Sequence, residues 1–375
     1  MRTANLDCLN SEERELLEKH HFDFATFDRL RKRYLAKTLT MEGNRLKGQV
    51  EHPREGDLLT LPNRESDEGE RLIEIGTAAL EAGEVGALVL NGGMATRFGG
   101  VVKGCVEVFE DQCFLGLKLA DAARWKAPLL LMNSFATDQK TARHLEKYKY
   151  YGFPEERLIT FTQNISLRLT PEGEIFNNVP GETLYAPGHG DVAEATRRGG
   201  LTRFLELGGK YLLMSNVDNV LARLDPLVVG VHIDAAESRG VEMTAEVVDN
   251  FGAAKGGMPA RVDGSLQIVE AFRFPHDFEA SAIPVYNTNT FLFTAQALLR
   301  DFDLTWFVVE KEVSGLPVIQ FERLAGQLSA YLESQFLQVP RRGKESRFLP
   351  IKERSDLEES RDFLAAVLSR EKSKK

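Results

Sequence analysis

Several stretches far apart in the chain carry residues whose types and spacing could do chemistry on phosphates. The first is ALVLNGGMATRFGGVVKG, 87–104, where an apolar run enters Gly92 and Gly93, then Arg97, two more glycines and Lys103. Glycines let a backbone approach a ligand closely, and a strand-to-loop-to-helix transition aims free amides at anions. The second is YLLMSNVDN, 211–219, an apolar run that breaks into Asn216 and Asp218. A carboxylate there either caps the next helix or offers a hard oxygen to Mg²⁺, which takes its other ligands from water and phosphates. Gln163 closes the run LITFTQ with an amide that both donates and accepts, the match for an imide edge or simply a cap. In PGHGD, 187–191, His189 stands between Gly188 and Gly190. Asn216 and Asn287 are short amides at strand ends, suited to hydroxyl groups or to solvent.

The elements that must position these residues can be read from periodicity. GALVLN reads as a buried strand, and APLLLMN and RLITFTQ as the strands that follow it. LGLKLADAARW and TDQKTARHLEKYKYYG read as the helices between them. Near-continuous apolar strands alternating with helices imply a doubly wound α/β sheet, Rossmann-like, with ligands beyond the carboxyl ends of the strands. The chain to about Asn63 reads as helical, with Asn10 and Glu13 as a capping pair. A further helix is expected over 65–82, stopped by Gly83. Turn residues at Glu172-Gly173 and Asp263-Gly264 predict hairpins that decorate the core sheet with antiparallel strands, making it mixed. The tail, 354–375, reads as an amphipathic helix. The expected division is a helical segment 1–84, a core domain 85–340, and a last segment 341–375.

Composition narrows the classes of function. A formal charge of −9 argues against non-specific binding to nucleic acid or an anionic membrane. Any anionic substrate must be met by a local cluster of cations. Three cysteines, Cys8, Cys105 and Cys113, are too few for a disulfide framework and fit a reducing compartment, so the cytoplasm is the expected location. Cys105 reads as a small apolar residue or as a reactive thiol. No run approaches the length of a membrane span. The glycine loop lacks the GK[ST] of a P-loop and the G-x-G-x-x-G of a dinucleotide fold, which disfavours hydride transfer.

Taken in order, LNGGMATRFGGVVKG, FTQ (161–163), PGHGD (187–191), SNVDN (215–219), KGG (255–257) with NTN (287–289), and VIQFE (318–322) with SRFLPIK (346–352) resemble a known family. It is the UDP-glucose pyrophosphorylases (UTP–glucose-1-phosphate uridylyltransferases) and their UDP-sugar relatives. The spacing from Asn91 to Lys103 is a residue shorter than the commoner pattern, and Val102 stands where proline is often found. The resemblance implies that UTP and glucose 1-phosphate react to give UDP-glucose and pyrophosphate, with Mg²⁺ as cofactor. Leu90, Gly92, Gly93 and Met94 would line the uridine side, with Gln163 and Gly188 at the base and Asn216 between base and sugar. Arg97, Lys103 and Lys352 would face phosphates, and Asp218 the metal. His189, Asn216, Lys255 and Asn287 would read the sugar. His189 would act as a hydrogen-bonding group and not as a base, because the attacking phosphate is already ionised. By composition alone Lys352 is a surface lysine; only the resemblance brings it to the site.

The chain stops soon after Lys352, where longer relatives continue into a β-helix domain, so a monomer or dimer is expected. Two other readings compete. One keeps the chemistry but changes the sugar to N-acetylglucosamine 1-phosphate, galactose 1-phosphate or a broad range. The other is a non-catalytic UDP-sugar-binding protein, against which the joint presence of Lys103, Asp218 and Lys352 speaks.

Overall fold

The computed structural model describes residues 4–95, 100–109, 111–251 and 256–372, so Arg97 and Lys255 lie outside the described residues. Strands of the main sheet are β1 (Leu58–Thr60), β2 (Val85–Leu90), β3 (Leu129–Asn133) and β4 (Leu158–Thr162). They continue with β5 (Tyr211–Asn216), β6 (Met243–Asp249), β7 (Val285–Thr294) and β8 (Ser334–Gln338). Their order across the sheet is β4-β3-β2-β5-β7-β6-β8-β1. Only β7 runs against its neighbours; every other pair is parallel.

The nine α-helices among the described residues are α1 (Ser11–Lys19), α2 (Phe24–Leu35), α3 (Asp67–Glu81), α4 (Phe114–Arg124) and α5 (Asp138–Lys147). Then come α6 (Val192–Gly199), α7 (Leu201–Glu206), α8 (Pro226–Arg239) and α9 (Arg354–Lys372). Alternation along β2 explains why both sheet faces are covered. Ala87 and Val89 join a core with Leu115, Leu119, Val228 and Val229, whereas Leu88 and Leu90 join one with Val192, Ala195, Leu201 and Phe204. A strand buried on both sides must be apolar at every position, and that is how VGALVL reads.

From β2 the chain steps outward to β3 and β4, then returns to place β5 on the other side of β2. That reversal opens a crevice at the carboxyl ends of β2 and β5. Asn216 lines it at the end of β5, while Asn91, just after β2, is buried beneath it.

Local signals hold where they are strong. Asn10 and Glu13 form the reciprocal capping pair, with Glu13 N donating to Asn10 Oδ1 at 2.9 Å and Asn10 N to Glu13 Oε2 at 3.0 Å. Gly83 (φ 74°) stops α3 and Asp263-Gly264 turn the hairpin 257–270. The expectation of helix to Asn63 fails after Leu35. Val50–Glu51 pairs with that distant hairpin and β1 pairs with β8, so their partners, not their own periodicity, set the conformation. The turn at Glu172-Gly173 is closed by the bridge Leu169 to Ile175, with Thr170 N donating to Glu174 O at 2.8 Å and Phe176 N to Arg168 O at 2.9 Å, and Leu169 bridges Ile319 on its other side. Helix α5 ends at Lys147 and not near Gly152, since Lys149, Tyr150 and Tyr151 turn left-handed. No helix among the described residues is long and apolar enough to cross a membrane.

Candidate active site

A cleft of about 1200 Å³ lies over the carboxyl ends of β2 and β5 and the start of β7. Its walls include Leu90, Gly92, Gly93, Lys103, Gln163, Gly188, His189, Asn216, Asp218, Asn287 and Lys352. Eleven positions drawn from six separate segments thus meet in one space. Met94 is absent from the walls.

Among the described residues the glycine loop leads into a short ladder and a 3-10 turn at Lys103–Cys105, not into an α-helix. Met94 and Ala95 pair back antiparallel with Val102 and Val101, and Lys103 N donates to Gly93 O at 3.1 Å. Met94–Ala95 and Val101–Val102 thus form a short antiparallel ladder, and Gly92 and Gly93 line the cleft ahead of it. Asn91 anchors its root: the buried amide donates to Asn133 Oδ1 at 2.8 Å and Thr141 Oγ1 at 3.0 Å. Despite the shortened spacing, Lys103 Nζ reaches Asp218 Oδ2 at 2.8 Å. Their side chains are 27% and 8% exposed, so the pair sits at the floor of the cleft and not on the surface.

Lys352 arrives by a docked segment. Asn219 Nδ2 donates to Arg347 O at 3.2 Å, Leu349 N donates to Asn219 Oδ1 at 3.0 Å, and Ile351 N donates to Asp218 O at 3.4 Å. Beneath this, Arg347 forms a fork on Glu246, with Nε to Oε2 at 2.9 Å and Nη2 to Oε1 at 2.6 Å. Those side chains are 4% and 0% exposed. Asp356 accepts the Lys352 and Glu353 amides at 2.8 and 3.0 Å and so starts α9. Lys118, fully buried on α4, donates to Ser215 Oγ, Asn219 O and Ala222 O at 2.9, 2.8 and 2.6 Å. It braces the 215–222 loop from below, and burial lowers its pKa to about 8.

At the other end, Gln163 is buried, yet its carboxamide has no hydrogen-bond partner among the described residues. A Cβ on Gly92 would come within 2.6 Å of Gln163 Nε2, so glycine there keeps the amide reachable. His189 Nδ1 accepts from Ala325 N at 3.0 Å, which leaves the proton of the neutral ring on Nε2. Desolvation lowers its pKa to about 4, so the ring is a neutral donor near pH 7. The neighbouring glycines serve packing as well as access. Gly188 has φ 84°, and a Cβ there would lie 2.3 Å from Arg323 O.

The middle is shaped by a bulge. Glu246 faces Thr290 but Val247 faces Asn287, so Thr288 and Asn289 are extra residues in β7. Asn289, at φ 57°, donates to Asn216 Oδ1 at 2.9 Å, and its own Oδ1 is buried without a partner among the described residues. An orphan acceptor beside Asn216 and Asn287 suits a ligand hydroxyl.

Sequence reasoning missed Asn289 and also Arg341, Arg342, Phe251 and Tyr286, which line the same cleft. A bulge leaves no local signal, and the arginines look like any surface pair. Lys118 left a detectable one: a lysine on the apolar stripe of Leu115, Leu119 and Ala122. Among the described residues no group of three or more His, Cys, Asp or Glu could hold a metal. Asp218 is the sole candidate ligand from the sequence reading, and it fits only a cation that takes further ligands from substrate and water.

The family model described as UTP–glucose-1-phosphate uridylyltransferase matches residues 24–369. The chain belongs to this family. It is 32% identical over 304 residues to UTP–glucose-1-phosphate uridylyltransferase 2 of Dictyostelium discoideum, covering 74% of this chain and 58% of that protein. It is 32% identical over 293 residues to the Hordeum vulgare enzyme described as UTP–glucose-1-phosphate uridylyltransferase, covering 72% and 60%. The chain thus spans about three-fifths of the length of these curated relatives. Among solved structures, UDP-N-acetylglucosamine pyrophosphorylase from Trypanosoma brucei superposes with a TM-score of 0.74 at 19% identity, covering 93% of this chain and 79% of that one. UDP-glucose phosphorylase from the same organism gives 0.71 at 24%, covering 92% and 76%. Both place the mixed sheet in the family's fold.

Proposed function

We propose that the chain is a uridylyltransferase that joins UTP to glucose 1-phosphate, forming UDP-glucose and pyrophosphate. The observation that carries this reading is the meeting of Lys103, Asp218 and Lys352 in one cleft between an unengaged Gln163 and the Asn216, Asn287 and Asn289 amides. Family membership supports it. An oxygen of the sugar phosphate attacks the α-phosphorus of UTP. The α–β bridging P–O bond breaks, and pyrophosphate leaves with the electron pair. No proton is abstracted, so catalysis of this kind rests on positioning and charge neutralisation.

In this reading Gln163 pairs with the uracil edge, and the loop amides at Gly92 and Gly93 hold the nucleoside. The Nε2 proton of His189 and the amides of Asn216, Asn287 and Asn289 bind hydroxyl groups. Lys103 and Lys352 flank the reacting phosphates. Asp218 is proposed to hold Mg²⁺, which would neutralise phosphate charge when bound. The weak donor set of the protein alone means that the metal binds with the nucleotide. We assign roles to Arg97 and Lys255 from the resemblance only. The reaction is placed in the cytoplasm, supported by three free cysteines, and in a monomer or dimer, which sedimentation will report.

Purified protein given UTP, Mg²⁺ and glucose 1-phosphate should release pyrophosphate at a rate proportional to enzyme. Silence with glucose, galactose and N-acetylglucosamine 1-phosphates alike would reject the reading.

A further inference from the structure

The order of strands lays the proposed site out as a line. Gln163 comes directly after β4, the glycine loop after β2, Asn216 ends β5 with Asp218 two residues on, and Asn287 and Asn289 lie on β7. Beyond them, Phe251 comes after β6 and Arg341 and Arg342 after β8. Arg341 reaches back to the ring of Tyr286, the β7 neighbour of Asn287, so the arginines border the asparagines on the side away from Gln163.

Both guanidiniums are held on aromatic faces. Arg341 lies 4.9 Å from the Phe251 ring centre and 5.2 Å from that of Tyr286, and Arg342 lies 4.6 Å from Phe251. Stacking orients the planar groups and leaves their N–H edges open. Arg341 spends one N–H on Asp249 O at 2.8 Å. Neither has a carboxylate within ion-pair distance among the described residues, although acidic residues outnumber basic ones by 56 to 47. The acids on the cleft wall are committed elsewhere: Asp218 to Lys103, and Asp356 to the start of α9. Two like charges thus share one ring, in a cleft, with no counter-charge from the described residues.

We infer that Arg341 and Arg342 form an anion site at the sugar end of the cleft, which takes a carboxylate or phosphoryl group on the hexose remote from its anomeric phosphate. The inference rests on the uridylyl-transfer reading for the direction of the substrate. It makes acidic hexose 1-phosphates substrates as well as neutral ones, because a planar fork meets a carboxylate or phosphate with paired, charge-assisted bonds that a hydroxyl cannot match.

The test compares kcat/KM for a hexuronate 1-phosphate, a hexose 1,6-bisphosphate and glucose 1-phosphate with UTP and Mg²⁺, in wild type, Arg341→Gln and Arg342→Gln. Phe251→Leu removes the stacking platform while keeping both charges. The acidic-to-neutral ratio should fall about tenfold or more in each arginine variant, the loss of a charge-assisted bond, and less in Phe251→Leu. The carboxylate and phosphoryl arms show which anion is preferred. An unchanged ratio overturns the inference, as does a parallel fall for acidic and neutral sugars, which would assign the arginines to the anomeric phosphate. A second readout is the thermal shift given by UDP-hexuronate against UDP-hexose. If the wild type turns over no sugar 1-phosphate, the reaction assignment fails, while loss of a UDP-hexuronate preference in the variants still decides the site.

Discussion

The fork of Arg347 on Glu246 is buried, and among the described residues no other cation reaches that carboxylate. Arg347→Met should leave a buried charge uncompensated, at a cost of about 3–5 kcal/mol. That is a large share of the roughly 5–15 kcal/mol typical of folded proteins. The reverse change is milder. After Glu246→Gln, Arg347 keeps Asp225 at 3.5 Å and Arg223 O at 3.1 Å, so a smaller loss is expected. Replacing both, as Glu246→Leu with Arg347→Met, should recover most of the stability. Equilibrium urea unfolding of the four proteins gives these differences from the midpoints, provided m is unchanged.

A single-variant loss below about 1 kcal/mol would refute the claim that this buried pair anchors the lysine segment.

Three further outcomes are expected. Asp218→Ala should lower turnover by about 10²–10³-fold, the scale of removing one electrostatic stabiliser, with an unaltered circular dichroism spectrum; equal activity would place the metal elsewhere. Lys118 has a folded pKa near 8 against 10.5 unfolded, so the unfolded state binds more protons between those values and wild-type stability should rise there by about 3 kcal/mol relative to Lys118→Met. A pH-independent difference between the two would show that Lys118 is not buried as a charge. His232, fully buried between Thr244 and Thr294, has its pKa lowered from 6.5 to about 3 by desolvation. The unfolded chain takes up its proton first, so stability should fall as pH drops below about 6.5, by about 2 kcal/mol at about pH 5. His232→Gln should remove that slope when both proteins are unfolded in urea at about pH 7 and about pH 5.

Legibility in the sequence tracks the range of the physics. β2, β3 and β5 are readable because a strand covered on both faces must be apolar throughout, and that requirement is local, whereas the edge strand β4 alternates, with Thr160 exposed between Ile159 and Phe161. Residues 36–63 mislead because β1 and Val50–Glu51 owe their conformation to partners more than two hundred positions away. The glycine loop is recognisable by composition, but the short ladder after it depends on the pairing of Met94 with Val102, which composition does not encode. Lys352 enters only through resemblance. Its physical cause, the burial of Arg347 on Glu246, has a faint trace in a glutamate inside the apolar run MTAEVVD. Asn289 and the arginines leave none, since a bulge and a cation stacked on a ring appear only once distant strands lie side by side.

The most direct measurement is a structure of the protein with UDP-glucose bound. The uracil should lie on Gln163, the hexose among Asn216, Asn287 and Asn289, and the ammonium groups of Lys103 and Lys352 both within about 3.5 Å of the diphosphate oxygens. A diphosphate that touches neither lysine, or a nucleotide seated with its base at the arginine end, would contradict the proposed uridylyl transfer.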